Sequence, residues 1–163
     1  MIILGRFFYF YGMQKDKKGI VYVLIQFILF ALYILPIFDF KIFCFSSIRY
    51  PFLIVTIFGV IIIFGSILQL RNQLSPFPVP LEDGVLIQNG FFRFFRHPIY
   101  SGILISSFFY ALYSCSGSKM IISIGLLILF YFKSSYEEEL LSKKYTEYNK
   151  YKKRVGRFFP KIF

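Results

Sequence analysis

Charge is scarce in this chain, and negative charge scarcest. Asp and Glu number 8 of 163 residues against 19 Lys and Arg, all four types make up only 17%, and 57% of the residues are hydrophobic. A soluble domain carries about 25% charged residues, so the composition excludes one and places the chain in a membrane. Nucleotide and metal signatures are missing too. There is no G-x-G-x-x-G, no Walker loop and no H-E-x-x-H, which excludes a Rossmann unit, a P-loop and a zinc-protease helix. Any chemistry has to be built from helix ends and loops.

What is abundant is long apolar runs. Candidate spans cover residues 20–38, 51–70 and 98–117, with a shorter run at 120–132; a crossing needs about 20 residues. The pattern predicts an all-α, polytopic bundle of about four, possibly five, transmembrane helices in a single membrane domain of residues 1–163. With four spans, one face collects 16 of the Lys and Arg residues and the other only Lys41, Arg49 and Lys119. The positive-inside bias then puts both termini and the loop from Arg71 to His97 in the cytoplasm. Residues 1–13 are apolar, too short to span and without a small-residue cleavage site, and read as an interfacial segment rather than a removable signal. Cys44 and Cys115 fall together on the outer side, where a disulfide is permitted; the plainer reading is two small apolar residues, not a metal site.

Near residue 71 the composition shifts to a loop rich in Pro, Gly and Asn. Pro76, Pro78 and Pro80 at alternate positions favour a rigid extended segment along the membrane surface or over a site, and Glu82-Asp83-Gly84 reads as a turn. From Tyr136 charge returns, with Leu141, Tyr145, Tyr148, Tyr151 and Val155 three or four residues apart. That spacing predicts one amphipathic helix, ended by Gly156 and Pro160. Its basic face suits the anionic leaflet of a membrane better than a nucleic acid.

The last two spans form a hairpin. His97-Pro98 opens the third helix with Pro at a first-turn position, and Glu137 and Glu138 lie about as far beyond the turn as His97 lies before it. At 1.5 Å per residue both arms return to one membrane face, so Arg93, Arg96, His97, Tyr100, Glu137 and Glu138 are expected to meet there. Arginines and a helix N-terminus suit anionic groups. The carboxylates suit an ammonium or ribose hydroxyls, and Gly102 allows close approach of a ligand or a neighbouring helix.

Gly90-Phe91-Phe92-Arg93-Phe94-Phe95-Arg96-His97-Pro98-Ile99-Tyr100-Ser101-Gly102 resembles the G-x-Y-R-x-x-R-H-P-x-Y-x-G motif of the isoprenylcysteine carboxyl methyltransferases and their relatives, the phospholipid methyltransferases. Glu137-Glu138 with Leu141, then Tyr148, Tyr151, Lys152, Lys153, Arg154, Val155 and Pro160, is similar to the same family's E-E-x-x-L and Y-x-x-Y-K-K-R-V tail. Phe92 stands where that family often has Tyr, so a hydroxyl is absent there. The resemblance covers residues 76–163, which it marks as a cofactor-binding catalytic half, and leaves residues 1–75 as N-terminal hydrophobic helices.

The resemblance implies an integral-membrane methyltransferase that uses S-adenosylmethionine and acts at the cytoplasmic face on a lipophilic or prenylated substrate, small molecule or protein. Cofactor-binding positions would be Arg96, His97, Pro98, Tyr100, Gly102, Glu137 and Glu138. Arg93, Arg154 and His97 would be catalytic, an arginine orienting a carboxylate nucleophile, or His97 or a glutamate accepting an amine's proton, and Tyr148, Tyr151 and Arg154 would contact the substrate. Membrane lipids are the expected partners, with no nucleic acid and no metal. Phospholipid N-methylation, a related NADPH-dependent membrane reductase and a non-catalytic membrane scaffold remain as alternatives. A transporter does not fit, because apart from Asp39 near an interface the expected spans hold no ionisable side chain to mark an ion path.

Overall fold

The computed structural model describes residues 16–35, 39–42, 49–81 and 84–161. The expectations for residues 1–13, for Cys44 and for the Glu82-Asp83 turn lie outside these residues. The architecture is all-helical, as the sequence predicts: α1 is Lys17–Ile34, α2 Arg49–Leu70, α3 Pro98–Ser114, α4 Gly117–Lys144 and α5 Tyr148–Arg154. Short 3-10 turns follow α2 and precede α3, at Arg71–Gln73 and Gly90–Arg93.

Three of these, α1, α2 and α4, are long and apolar enough to cross a membrane. The α3 helix has 17 residues, the lower end of the range that spans, and it sits against both α2 and α4.

Large side chains face outward and small ones inward, the reverse of a soluble bundle. On α2 the exposed residues include Ile54, Ile57, Phe58, Ile61, Phe64 and Leu68, while Thr56, Gly59, Ile62 and Ser66 form the buried stripe. On α3 the buried face is Ser101, Gly102, Leu104, Ser107 and Ala111. Lipid is as apolar as leucine, so helices there associate through close backbone approach rather than by hiding leucine from water. The α2–α3 crossing turns on two glycines. A Cβ on Gly102 would stand 2.6 Å from the Gly59 carbonyl and 2.7 Å from Ile63 Cγ1. Gly102→Leu is therefore expected to destabilise the protein by about 1–3 kcal/mol through overpacking. A thermal-unfolding midpoint in detergent unchanged from the parent would refute this account of the crossing.

Helix ends depart from the sequence expectation in three places. The first span begins at Lys17, where Asp16 caps by accepting from the Gly19 N–H at 2.9 Å. It stops at Leu35, which is extended (φ −80°, ψ 125°) because the residue before a proline is pushed out of the helical region. The turn between α3 and α4 is only Cys115 and Ser116: Cys115, disulfide-bonded, takes a left-handed conformation (φ 54°), and Ser116 caps α4. Ser116 and Ser118 also hydrogen-bond the Asp39 carboxylate, which ties this turn to the chain between α1 and α2.

The largest correction concerns the tail. The predicted short final span and the predicted amphipathic helix from Tyr136 to Val155 are not two elements divided near residue 133. Instead α4 runs 28 residues to Lys144, the chain breaks at an extended Tyr145 (φ −113°, ψ 114°), and α5 starts at Tyr148. Tertiary contacts override the periodicity at the break. Tyr145 Oη donates to the Gly84 carbonyl at 2.6 Å, and the next residue, Thr146, is β-branched and a weak helix former. After α5, Gly156 lets the chain reverse: a Cβ there would meet the Phe159 carbonyl. The tail then lies parallel to the segment before α3, with Phe95 bridged to Gly156 and the Arg96 and His97 N–H groups donating to the Gly156 and Arg157 carbonyls at 2.8 and 3.2 Å.

Candidate functional site

Helix rise brings the two motifs together as expected. His97 occupies the N-cap of α3 with Pro98 following, and it meets α4 nearly six turns, at about 3.6 residues each, beyond the hairpin turn. His97 Nε2 is 3.2 Å from Glu138 Oε1, and His97 Nδ1 is 3.6 Å from Glu137 Oε2. Tyr100 Oη donates to Glu137 Oε2 at 3.0 Å.

The two glutamates are adjacent in sequence and different in surroundings. Glu138 continues the buried stripe of α4 formed by Leu126, Leu129, Phe130, Lys133 and Ser134 and is 1% exposed. Around its carboxylate stand Arg96 Nε at 2.8 Å, Lys152 Nζ at 2.9 Å and Arg157 Nε at 3.4 Å, besides the imidazole. Arg96 also donates through Nη1 to the carbonyls of Lys152 and Val155, at 3.0 and 2.5 Å, and so caps α5. Glu138 thus joins α3, α4, α5 and the tail in one charged knot. Glu137, one position round the helix, is a quarter exposed at its side chain and lines a cavity.

That cavity has a volume of about 340 Å³, within the range of small-molecule sites. Arg96, His97, Pro98, Tyr100, Glu137, Tyr148 and Tyr151 all line it. On one wall His97 stacks on Tyr100 at 5.4 Å, and Phe130 backs Tyr100 from behind the wall at 4.6 Å, both pairs nearly parallel. The loop of alternating prolines lies over it, residues 75–81 all contributing, so of its two expected placements it takes the one over a site. Tyr151 Oη is held by the Phe92 carbonyl at 2.6 Å. Tyr148 Oη is buried and has no hydrogen-bond partner among the described residues. Burial pushes the ionisation of both phenols well up, so both present hydroxyls. A buried hydroxyl left without a partner costs about 1–3 kcal/mol, and a polar ligand in the cavity would remove that cost.

Four sequence candidates lie elsewhere. Arg93 ends the 3-10 turn and is exposed. Arg154 is also exposed and donates to Gln88 Oε1 at 3.2 Å. Gly102 sits in the α2 crossing, and Glu138 lies behind His97. None of the four borders the cavity.

Among the cavity residues that the sequence did not point to are the polar pair Lys133 and Gln26. Lys133, one of the 16 cations that the charge pattern assigns to the basic face, is 1% exposed, donates to Gln26 Oε1 at 2.6 Å and to the Pro76 carbonyl at 2.9 Å, and lies 5.3 Å from the centre of the Tyr100 ring. The available signal was position: Lys133 precedes Glu137 by four residues and falls in the apolar stripe of α4. Gln26, its partner from α1, carried no such signal.

A bundle of apolar helices with a largely apolar, aromatic-walled cavity at one end, into which a few polar side chains project, defines a helical membrane protein with a small-molecule-sized site. The family model of phospholipid methyltransferases matches residues 49–148, more than half of the chain, and the chain belongs to that family of membrane methyltransferases. The match begins with the first residue of α2, further upstream than the motifs reach, and ends at Tyr148. No curated protein matches the chain.

Proposed function

We propose that the cavity binds S-adenosylmethionine and that the protein transfers its methyl group to a lipophilic acceptor at the cytoplasmic membrane face. The observation that carries this reading is the cavity's lining in a chain of this family: among the described residues, one carboxylate, Glu137, stands among tyrosine rings, and the Tyr148 hydroxyl has no partner. Carboxylate and ring faces attract a cation such as a sulfonium, and the hydroxyl suits a polar group beside it. The cofactor supplies the activated methyl group. The protein's part is alignment and exclusion of water, for which the proline loop above and the His97–Tyr100–Phe130 stack beside the cavity are suited.

With Arg93 and Arg154 away from the cavity, the geometry favours an amine acceptor over a carboxylate oriented by arginine. On this reading Glu137, with His97 3.6 Å from its carboxylate, accepts the amine's proton. The cytoplasmic orientation rests on the distribution of Lys and Arg.

Calorimetry on detergent-purified protein tests the proposal. S-adenosylmethionine and S-adenosylhomocysteine are expected to bind with micromolar affinity, and NADPH is not. Binding of NADPH alone would favour the reductase, and absence of any binding by folded protein would favour the scaffold. Once transfer is observed, label that survives mild alkali marks a methylamine, and label that is lost marks a carboxyl ester.

A further inference from the structure

The cationic side chains that line the cavity among the described residues are Arg96 and Lys133, and they differ in what they have left to offer. Arg96 has its charge met by the Glu138 carboxylate through Nε, and its Nη1 is directed to the end of α5. Lys133 pairs with no carboxylate among the described residues. Its ammonium carries three donors, of which two go to the neutral oxygens of Gln26 and Pro76. The Glu137 carboxylate one turn along α4 attracts the ammonium without pairing with it, and the Tyr100 ring lies 5.3 Å away, so the buried charge still lacks part of the compensation that burial requires. An anion in the cavity would supply it.

Lys133 also stands at a particular depth. It lies one helical turn, about 6 Å, further toward the middle of the bundle than Glu137. Beside it Ile103 borders both the cavity and a second, apolar groove of about 400 Å³ lined by Phe30 and Ile34 of α1 and Leu126 of α4. The deep end of the cavity is therefore the end at which a polar group meets hydrocarbon, whereas Leu141, Tyr145 and Tyr148 belong to the opposite end.

We propose that Lys133 is the receptor for an anionic oxygen, phosphate or carboxylate, of the acceptor, and so a specificity-determining residue of this site. This rests on the methyltransferase reading only for the word acceptor; the anion site itself does not depend on it. Gln26 and the Pro76 carbonyl hold the ammonium in place, and the cofactor's own carboxylate goes elsewhere.

The test uses the full chain in maltoside detergent with three single-chain probes: dodecyl phosphate, dodecanoate and dodecanol. Their affinities, and that of S-adenosylhomocysteine, are measured for the parent, Lys133→Met and Lys133→Arg. The methionine variant is expected to lose about tenfold or more in affinity for at least one anionic probe, as for a charge-assisted hydrogen bond. The arginine variant is expected to stay within about threefold of the parent, and dodecanol and S-adenosylhomocysteine to be unaffected by either change. The anionic probe that responds identifies phosphate or carboxylate. Lys133→Gln, which can still bond Gln26 and Pro76, replaces the methionine variant should that one not fold. Unchanged binding of both anions overturns the proposal and leaves Lys133 a latch between α1, α4 and the proline loop. Loss of S-adenosylhomocysteine with the anions unaffected also overturns it, assigning Lys133 to the cofactor. Should the parent bind no S-adenosylhomocysteine while anion binding still depends on Lys133, the methyltransferase reading fails and the anion site stands.

Discussion

Replacing Glu138 with alanine is expected to cost about 3–5 kcal/mol of stability, the range for removing one partner of a buried ion pair. The magnitude follows from what is left behind. Arg96, whose side chain is 9% exposed, would keep its guanidinium under the chain with no countercharge. Lys152, nearly half exposed, regains water and adds little. Because Arg96 also holds the last carbonyls of α5, and the tail pairs with the backbone of residues 95–97, the loss is expected to begin at the C-terminal end. Protease cleavage between Tyr145 and Phe159 should appear before global unfolding. Unfolding of the purified variant, followed by circular dichroism in one detergent, gives the measurement. A loss under about 1 kcal/mol with the tail still protected would show that the knot is not what closes this end of the molecule.

How far this end was legible in sequence differs residue by residue. The meeting of His97 with Glu137 and Glu138 needed only a helical rise and a short turn, both local properties, and it holds even though the turn is two residues and α3 shorter than expected. The division of labour between the two glutamates was hidden, because it depends on about 100° of helix rotation relative to a buried face. That face becomes visible once Leu126, Phe130, Lys133 and Ser134 are aligned with Glu138. Locally only the β-branched Thr146 marks the break at Tyr145, and the hydrogen bond that favours it runs from Tyr145 Oη to the Gly84 carbonyl, 61 residues away. Arg93 lay close to His97 in sequence and was expected beside it in space, but the 3-10 turn Gly90–Arg93 leaves it exposed. Arg154 sits on the outer face of α5, while Tyr148 and Tyr151 on its inner face reach the cavity. Motif spacing reports which segments adjoin, and the turn of each short helix decides which side chains face inward.

Glu137→Gln is expected to produce the opposite result from the change next to it. The variant should fold with stability within about 1 kcal/mol of the parent, because Gln keeps an oxygen to accept from Tyr100 Oη and Glu137 makes no direct pair with a lysine or arginine among the described residues. Binding should suffer instead. Glu137 is the one carboxylate lining the cavity among the described residues, and a hydrogen bond to a charged group contributes about 1.5–3 kcal/mol, which converts to about 10- to 100-fold in affinity. S-adenosylmethionine, carrying the sulfonium, is expected to lose more than S-adenosylhomocysteine, which lacks it, if the carboxylate faces the sulfur. Equal losses would place Glu137 at an amino or hydroxyl group common to both, and no loss for either would remove Glu137 from the cofactor site. The comparison with Glu138→Gln makes the reading strict. The same chemical change at adjacent positions should leave one protein folded and unable to bind, and the other destabilised but still binding while folded. Parallel behaviour of the two variants would mean that the cavity and the knot are one structural unit, with no carboxylate set aside for a ligand.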